Sequence, residues 1–256
     1  MAGGRKDWDP GTYARFRGLR LRPALDLLAQ VDGLPAGDVV DLGCGDGAVA
    51  GPLRARYPGR RLVGVDSSPA MLAQARGYDA TVCADIGDWR AEGVALVFSN
   101  AALHWLGDHG ALMPRLAGML AAGGMLAVQM PRQFFAPSHR FLRDIAAAMF
   151  PERFDYAGWQ APVATAAEYQ AMLSRLGAVE AWETDYVQRL EPAGAGHPVR
   201  RFTESTAMRP FLERLTEAEA ARFVAAYEEA LAAAYPAGED GAVLFPFRRV
   251  FFTLRV

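Results

Sequence analysis

The sequence predicts an α/β protein built on a doubly wound, mostly parallel seven-stranded sheet, with helical additions over the carboxyl edge of that sheet. Three observations lead there. Val39-Val40-Asp41-Leu42-Gly43-Cys44-Gly45-Asp46-Gly47 is a short apolar run, an acid, and three alternate glycines. Apolar runs alternate with helical composition from residue 38 to residue 131, joined by short connections. After Pro131 that rhythm stops, and two long stretches of helical composition follow.

Taken in order, residues 7–31 come first. Trp8-Asp9-Pro10 and Tyr13-Ala14-Arg15-Phe16 look like an ordered arm, and Arg22 to Leu28 reads as a helix with Pro23 near its first turn. Arg15, Arg17, Arg20 and Arg22 are concentrated here, and a solvated helix face is the plainest account of them. Val39 to Leu42 then reads as the end of a buried parallel strand. The glycines after it predict a tight turn where backbone comes close to a ligand, because no Cβ stands in the way. Ala48 to Tyr57 has helical composition. Strand, glycine turn and helix form the ligand-binding corner of a doubly wound sheet. The spacing here is G-x-G-x-G with Asp41 ahead of it. An acid at that point repels a pyrophosphate and suits a cationic ligand.

Arg61 to Asp66 is the second strand. Asp66 lies about 20 residues after the turn, where a carboxylate accepts both hydroxyls of a ribose. Ser67-Ser68-Pro69 supplies a cap and a proline for the helix through Met71. Ala80 to Ile86 is a short third strand ending in Asp85 and Ile86, a polar and an apolar group suited to the edge and face of adenine. A simple turn cap by Asp85 is the competing account. Ala95 to Asn100 is the fourth strand, and Asn100-Ala101-Ala102-Leu103-His104-Trp105 follows at its carboxyl end, where ligands sit in such sheets. A helix over Asp108–Leu120, a turn at Gly123-Gly124 and a fifth strand over Met125–Met130 complete the pattern. Beyond it, helices are expected over Phe141–Phe150, Ala164–Leu176 and from Thr216 to Tyr235, with strands over Val179–Leu190 and Val243–Val256.

A chain of 256 residues with no internal repeat or loose linker reads as a single domain over 1–256, with its core sheet in 32–131 and helical additions in 132–163 and 191–240. Its hydrophobic fraction of 52% argues for a packed core. No apolar run approaches the roughly 18 residues that would span a bilayer, and residues 1–7 do not read as a secretory signal, so no membrane partner is expected and the cytoplasm is the default. Two cysteines make neither a disulfide framework nor a metal site. A net charge of −2 gives no case for nucleic acid. Lys6 is the only lysine, so any anion site is built from guanidinium groups.

These segments carry a resemblance. W-D-P-x-x-Y-x-x-F near the start, D-L-G-C-G-x-G, V-D-S-S-P-A-M-L, A-D-I-x-x-W, F-S-N-A-A-L-H-W-L-x-D-H, G-G-x-L-A-V-Q-M-P and M-R-P-F-L together resemble the trans-aconitate 2-methyltransferase family, within the Rossmann-like S-adenosylmethionine-dependent methyltransferases. The resemblance implies methyl transfer from S-adenosylmethionine to a carboxylate of a small di- or tricarboxylic acid, giving a monomethyl ester. It implies cofactor contacts from Asp41 to the methionine amino group, from Gly43, Cys44 and Gly45 around the methionine part, from Asp66 and Ser67 at the ribose, from Met71 at the sugar or the base, from Asp85 and Ile86 at adenine, and from Asn100 near the amino group. For the acid it points to Tyr13, Arg22, His104, Trp105, Gln129 and Arg209, with Arg22 and Arg209 favoured as carboxylate partners over Arg132 and Arg248. Two residues depart from the family's usual pattern. Asp46 stands where proline is usual and is expected to point away from the cofactor. His104 stands where glutamine is frequent and is expected to bear on which acid is accepted.

A carboxylate with a pKa near 4 is already ionised at neutral pH and needs no general base, so no catalytic residue beyond positioning groups is expected. The alternatives left open are an O- or C-methyltransferase of another small-molecule or acyl-carrier acceptor, and a nicotinamide-dependent or non-catalytic nucleotide-binding protein. Asp41 and the glycine spacing argue against the last. The chain is expected to act as a monomer or dimer.

Overall fold

The computed structural model describes residues 17–204 and 206–256. The N-terminal arm, Tyr13 included, lies outside the described residues. The elements run as follows: α1 Arg17–Leu28, β1 Val39–Leu42, α2 Ala50–Arg56, β2 Leu62–Asp66, α3 Pro69–Leu72, β3 Ala80–Cys83, β4 Val94–Asn100, a 3-10 turn Leu103–Trp105, α4 His109–Ala117 and β5 Leu120–Pro131. Then come α5 Pro137–Met149, α6 Ala166–Leu173, β6 Ala178–Leu190, α7 Pro198–Glu204, α8 Arg209–Leu212, α9 Glu217–Ala234 and β7 Val243–Arg255. The seven strands form one sheet in the order β3-β2-β1-β4-β5-β7-β6.

The chain divides into two compact units. One comprises the described residues up to Pro131 with Pro162–Thr184 and Arg249–Val256, and the other comprises Arg132–Ala161 and Asp185–Arg248. In the first, β1 lies between β2 and β4, parallel to both, with Asp41 opposite Gly64 on one side and Phe98 on the other. β3 adds in parallel at the edge, and β5 continues the parallel set beside β4. The central strands β1, β2 and β4 are mostly apolar and buried because helices cover both faces of such a sheet, whereas β3 at the edge alternates half-buried and exposed residues. β1 is buried along its whole length, and Leu96, Val97 and Phe98 of β4 have no exposed surface. β7 then enters antiparallel to β5, pairing Met125 with Arg255 and Pro131 with Arg249.

The local signals explain most boundaries. Ser68 caps α3, its Oγ accepting the Met71 N–H at 3.2 Å, with Pro69 at the first helical position. Thr165 and Glu168 form a reciprocal capping box at α6, as Thr216 and Glu219 do at α9. Two details differ from expectation. α1 begins at Arg17, so Pro23 stands inside the helix and not at its first turn. β5 starts at Leu120 and runs through Gly123 and Gly124, where the pairing with β4 shifts register between Val94 and Leu96. Gly123, at φ +78°, absorbs that irregularity where a turn was expected.

The second unit gathers α5, α7, α8 and α9 with the last residues of β6, from Asp185, and the start of β7, up to Arg248. Its core is aromatic. Phe211 stacks on Phe154 at 5.6 Å and on Phe223 at 5.8 Å, and Phe202, Phe245 and Phe247 meet edge to face. Tyr227, fully buried, donates its hydroxyl to the carbonyl of Ser138 at 2.6 Å, joining α9 to α5. Among the described residues no helix is long and apolar enough to cross a membrane.

Candidate functional site

At the carboxyl ends of β1, β2 and β4, the first unit holds a cavity around the glycine turn. The turn is fixed to the sheet by Val65, whose carbonyl accepts the N–H groups of Gly43 and Cys44 at 2.8 and 3.0 Å. It is fixed a second time by Asp66. One carboxylate oxygen of Asp66 accepts the Gly45 N–H at 2.9 Å, and the other accepts the Ser68 N–H at 2.9 Å. One side chain thus ties the turn after β1 to the turn after β2. Gly43 must be glycine on two counts. Its φ is +80°, and a Cβ there would stand 2.2 Å from the Ala102 Cβ. A Cβ on Gly45, also at positive φ, would come within 3.2 Å of the Met71 methyl.

Asp41 is 1% exposed and lines the cavity. Tyr78 donates its hydroxyl to Asp41 Oδ2 at 2.6 Å. Burial pushes the Asp41 carboxyl up to about 7; the Tyr78 hydrogen bond works against that rise, and the charge of Asp66 adds to it. A buried acid so placed ionises most readily when a cation stands beside it. The same burial, with Asp41 and Asp66 nearby, holds the Cys44 thiol well above its ordinary value.

The far end of the cavity is built by the loop after β3. Asp85 accepts the Gly87 N–H at 2.7 Å, so it does cap a turn, and it faces the cavity as well. Arg115 of α4 reaches across to this loop, donating to the carbonyls of Ile86 at 2.8 Å and Trp89 at 3.0 Å. On the opposite wall, Asn100 ends β4 and Ala101 follows at φ +53°, a left-handed conformation for a residue with a Cβ. The Ala101 N–H is held by the carbonyl of Gln129 at 2.9 Å. The Asn100 Oδ1 is buried and has no hydrogen-bond partner among the described residues.

The sequence-derived residues fall into two groups. Asp41, Gly43, Cys44, Gly45 and Asp66 line this cavity, and so do Ser67, Met71, Asp85, Ile86 and Asn100. Trp105 lines it too, half exposed at 51%, with the His104 ring 4.7 Å from its own. Asp46, expected to point away, is part of the lining, between Gly45 and Gly47, which both take positive φ. Arg22 is not brought to the cavity. Its side chain is 77% exposed, with Asp26 at 4.0 Å one helical turn on. Arg209 belongs to the second unit, where it pairs with Glu213 at 2.8 Å while Met208 and Phe211 of the same segment are core residues. Gln129 is fully buried behind Asn100, its partner in the β4–β5 register. Leu21, Leu106 and Arg115 escaped the sequence reading. Leu21 belongs to no motif, Leu106 stands inside the L-H-W-L segment without a polar group to single it out, and Arg115 acts across 26–29 residues of chain.

The arrangement fits S-adenosylmethionine on its own chemistry. Three acids at successive strand ends suit an ammonium and sulfonium and a ribose diol. The glycines leave room where a Cβ would close the cradle. An orphaned buried acceptor at Asn100 suits an amino donor.

Comparison with known proteins agrees. Residues 40–128 match the family model for a methyltransferase domain. Over 97% of its length the chain is 44% identical to the trans-aconitate 2-methyltransferase of Methylobacterium nodulans, covering 98% of that protein. It is 42% identical to that of Paracidovorax citrulli and 38% identical to that of Escherichia coli, with 97% of this chain and 98% of each relative covered. Among solved structures, phosphoethanolamine N-methyltransferase 2 of Haemonchus contortus with bound S-adenosyl-L-methionine matches 91% of this chain and 52% of its own at a TM-score of 0.51 and 17% identity. Geranyl diphosphate C-methyltransferase of Streptomyces coelicolor, with S-adenosyl-L-homocysteine, covers 100% of this chain and 86% of its own at a TM-score of 0.50 and 17% identity. These two share the fold.

Proposed function

The chain belongs to the trans-aconitate 2-methyltransferase family, and from that membership we propose that it transfers a methyl group from S-adenosylmethionine to a carboxylate of a small polycarboxylic acid, trans-aconitate, giving a monomethyl ester. The observation that carries this reading is 44% identity over 97% of the chain to a relative of that name. The cavity of acids at the strand ends supports the cofactor half of it. The chain works as one methyltransferase domain in the cytoplasm, on a small-molecule acid, as a monomer or dimer.

When bound, S-adenosylmethionine supplies an electrophilic methyl carried on a sulfonium. The residues of this chain position and enclose. Asp41 offers its carboxylate to the amino group, and Asn100 Oδ1 accepts from it. Asp66 keeps one lone pair of each oxygen on Gly45 and Ser68 and turns the remaining ones to the ribose hydroxyls. Ile86 packs on adenine beside Asp85, and Trp105 screens the cavity from water. His104 and Gln129 contribute to the acid's side, while Tyr13, Arg22 and Arg209 remain candidates for its other carboxylates. The acceptor oxygen arrives ionised, so no residue has to remove a proton. Alignment of two held reactants is worth about 7–11 kcal/mol of barrier.

The test is a methyl-transfer assay with labelled cofactor against trans-aconitate, cis-aconitate, isocitrate, a malonyl thioester and a fatty acid. Label in a base-labile monomethyl ester of trans-aconitate is expected. Transfer to the thioester or the fatty acid alone would overturn the acceptor assignment.

A further inference from the structure

We propose that His109 is a positioning residue for the cofactor cavity: bonded to the Leu103 carbonyl and steadied by Tyr169, its ring fixes the turn that holds Trp105 in the cavity wall. The inference deepens the function proposed above and rests on it, since the ligand of that cavity is taken to be S-adenosylmethionine.

The segment from Ala102 to Gly107 is bracketed by strain. Ala101, at φ +53°, precedes it and Asp108, at φ +48°, follows it. Among the described residues, these are the only two besides glycine with positive φ. Such a conformation costs free energy and persists only where its surroundings hold it. At the first end, the Ala101 N–H is donated to the Gln129 carbonyl at 2.9 Å. At the second, Asp108 caps α4, its Oδ1 accepting the Ala111 N–H at 3.1 Å. His109 next to it reaches back to the segment.

The point it reaches is the carbonyl on which the 3-10 turn closes. The Leu103 carbonyl accepts the Leu106 N–H at 3.0 Å and meets His109 Nε2 at 3.0 Å. A carbonyl only accepts, so Nε2 carries the proton. Nδ1 lies 2.6 Å from the Tyr169 hydroxyl. In the neutral ring Nδ1 accepts, so the tyrosine donates there. Tyr169 is fixed in turn, its hydroxyl accepting the Ala164 N–H at 3.4 Å and its ring lying 4.9 Å from that of Phe252. His109 and Tyr169 are both buried. Burial holds the imidazole below its usual pKa, against the pull of the Leu103 and Leu106 backbone and of Asp108, and so favours the neutral form that these bonds require.

The consequence falls on the cavity. Trp105 lines it with half its surface exposed, so the backbone of the turn has a large part in setting where the indole stands. Leu106, whose N–H shares the Leu103 carbonyl, lines the cavity too. Apolar side chains could fill the space of the buried pair, but none could donate to that carbonyl.

A double-mutant cycle tests this. His109→Asn puts an amide where Nδ1 stands and gives up the bond to Leu103. His109→Gln can put its amide nitrogen where Nε2 stands and restore that bond. Each is made in the unaltered chain and with Trp105→Ala, and S-adenosylmethionine affinity is measured by calorimetry beside melting temperature. His109→Asn is expected to weaken affinity roughly 3- to 10-fold, as one hydrogen bond is lost, and His109→Gln to stay within about two-fold. With Trp105→Ala the His109→Asn loss should shrink below about two-fold, while the fall in melting temperature persists. An affinity loss of the same size without the indole would make the pair a structural contact only and overturn the proposal. Unchanged affinity in His109→Asn, or an equal loss in His109→Gln, would overturn it as well. Should His109→Asn fail to fold, Tyr169→Phe takes its place in the cycle, since it removes one oxygen and keeps the ring beside Phe252. An unaltered protein with no affinity for S-adenosylmethionine would sink the proposed function and this inference with it, a failure distinct from the others.

Discussion

Tyr78 Oη stands 2.6 Å from Asp41 Oδ2, and this hydrogen bond reaches from the loop before β3 to the centre of the sheet. It is the one interaction that lowers the pKa of an acid which burial lifts to about 7. Because the folded value lies above the ordinary 3.8, Asp41 favours the folded chain in full below about pH 4, and that contribution is lost as the pH rises to about 7. The cofactor-free protein is therefore expected to lose melting temperature across that window, and Asp41→Asn to flatten the loss. Cofactor affinity is expected to run the opposite way, tightening as the carboxylate forms. Tyr78→Phe is expected to move the midpoint of that tightening to higher pH. Calorimetric titrations from pH 5 to pH 8 would show it, and a pH-independent affinity would remove Asp41 from the amino-group site.

Asp66 clasps two turns together, and the proposed function gives it the ribose as well. Asp66→Ala is expected to weaken cofactor binding by at least an order of magnitude, as two acceptors for the ribose disappear. It also frees the Gly45 and Ser68 N–H groups, so a loss of about 1–3 kcal/mol of stability accompanies it. Asp66→Asn, which keeps one acceptor oxygen, should lose less of both. Calorimetry and thermal melts on the two variants separate the roles. Unchanged affinity in Asp66→Ala would refute ribose recognition.

Glycine at 43 is a matter of contact as well as backbone. Gly43→Ala meets Ala102 at 2.2 Å from a φ of +80°, whereas Gly93→Ala has a φ of +66° and no heavy atom within 4 Å. The second substitution carries only the left-handed backbone cost, about 1–2 kcal/mol. The first is expected to destabilise by more and to abolish cofactor binding. Equal melting temperatures for the two would show that Ala102 gives way freely.

His104 lies against Trp105, which lines the cavity, and is not itself among the lining residues. His104→Ala is expected to raise the KM of the acid several-fold with little change in cofactor affinity, and His104→Gln to recover most of the loss through a similar donor. Steady-state kinetics with calorimetry of the cofactor decides this. Parallel loss of both affinities would make His104 a support for Trp105 and not a contact of the acid.

The cofactor half of the site was legible because its signals are local. Asp41, Asp66 and Asp85 each stand at or just beyond the carboxyl end of a short apolar run, and glycines at 43, 45 and 47 declare a turn by themselves. The register then carries all of them to one edge without further information. α7 and α8 were hidden inside a broadly helical stretch, because Val199, Phe202 and Phe211 follow no long period, and Phe202 and Phe211 meet aromatic rings from distant segments. Arg115 was invisible for a similar reason, since nothing near it in sequence tells that it hooks the Ile86–Trp89 loop. Arg249 and Gln129 meet across 120 residues, and only the antiparallel entry of β7 beside β5 makes them neighbours.

The two bonds that Asp66 makes to Gly45 and Ser68 also bear on how the donor arrives. A cradle already braced by its own backbone has little entropy left to surrender on capture. Amide hydrogen exchange at Gly45 should thus be slow before any ligand is added, and a lineage moving toward a different donor would have to rebuild the brace along with the contacts.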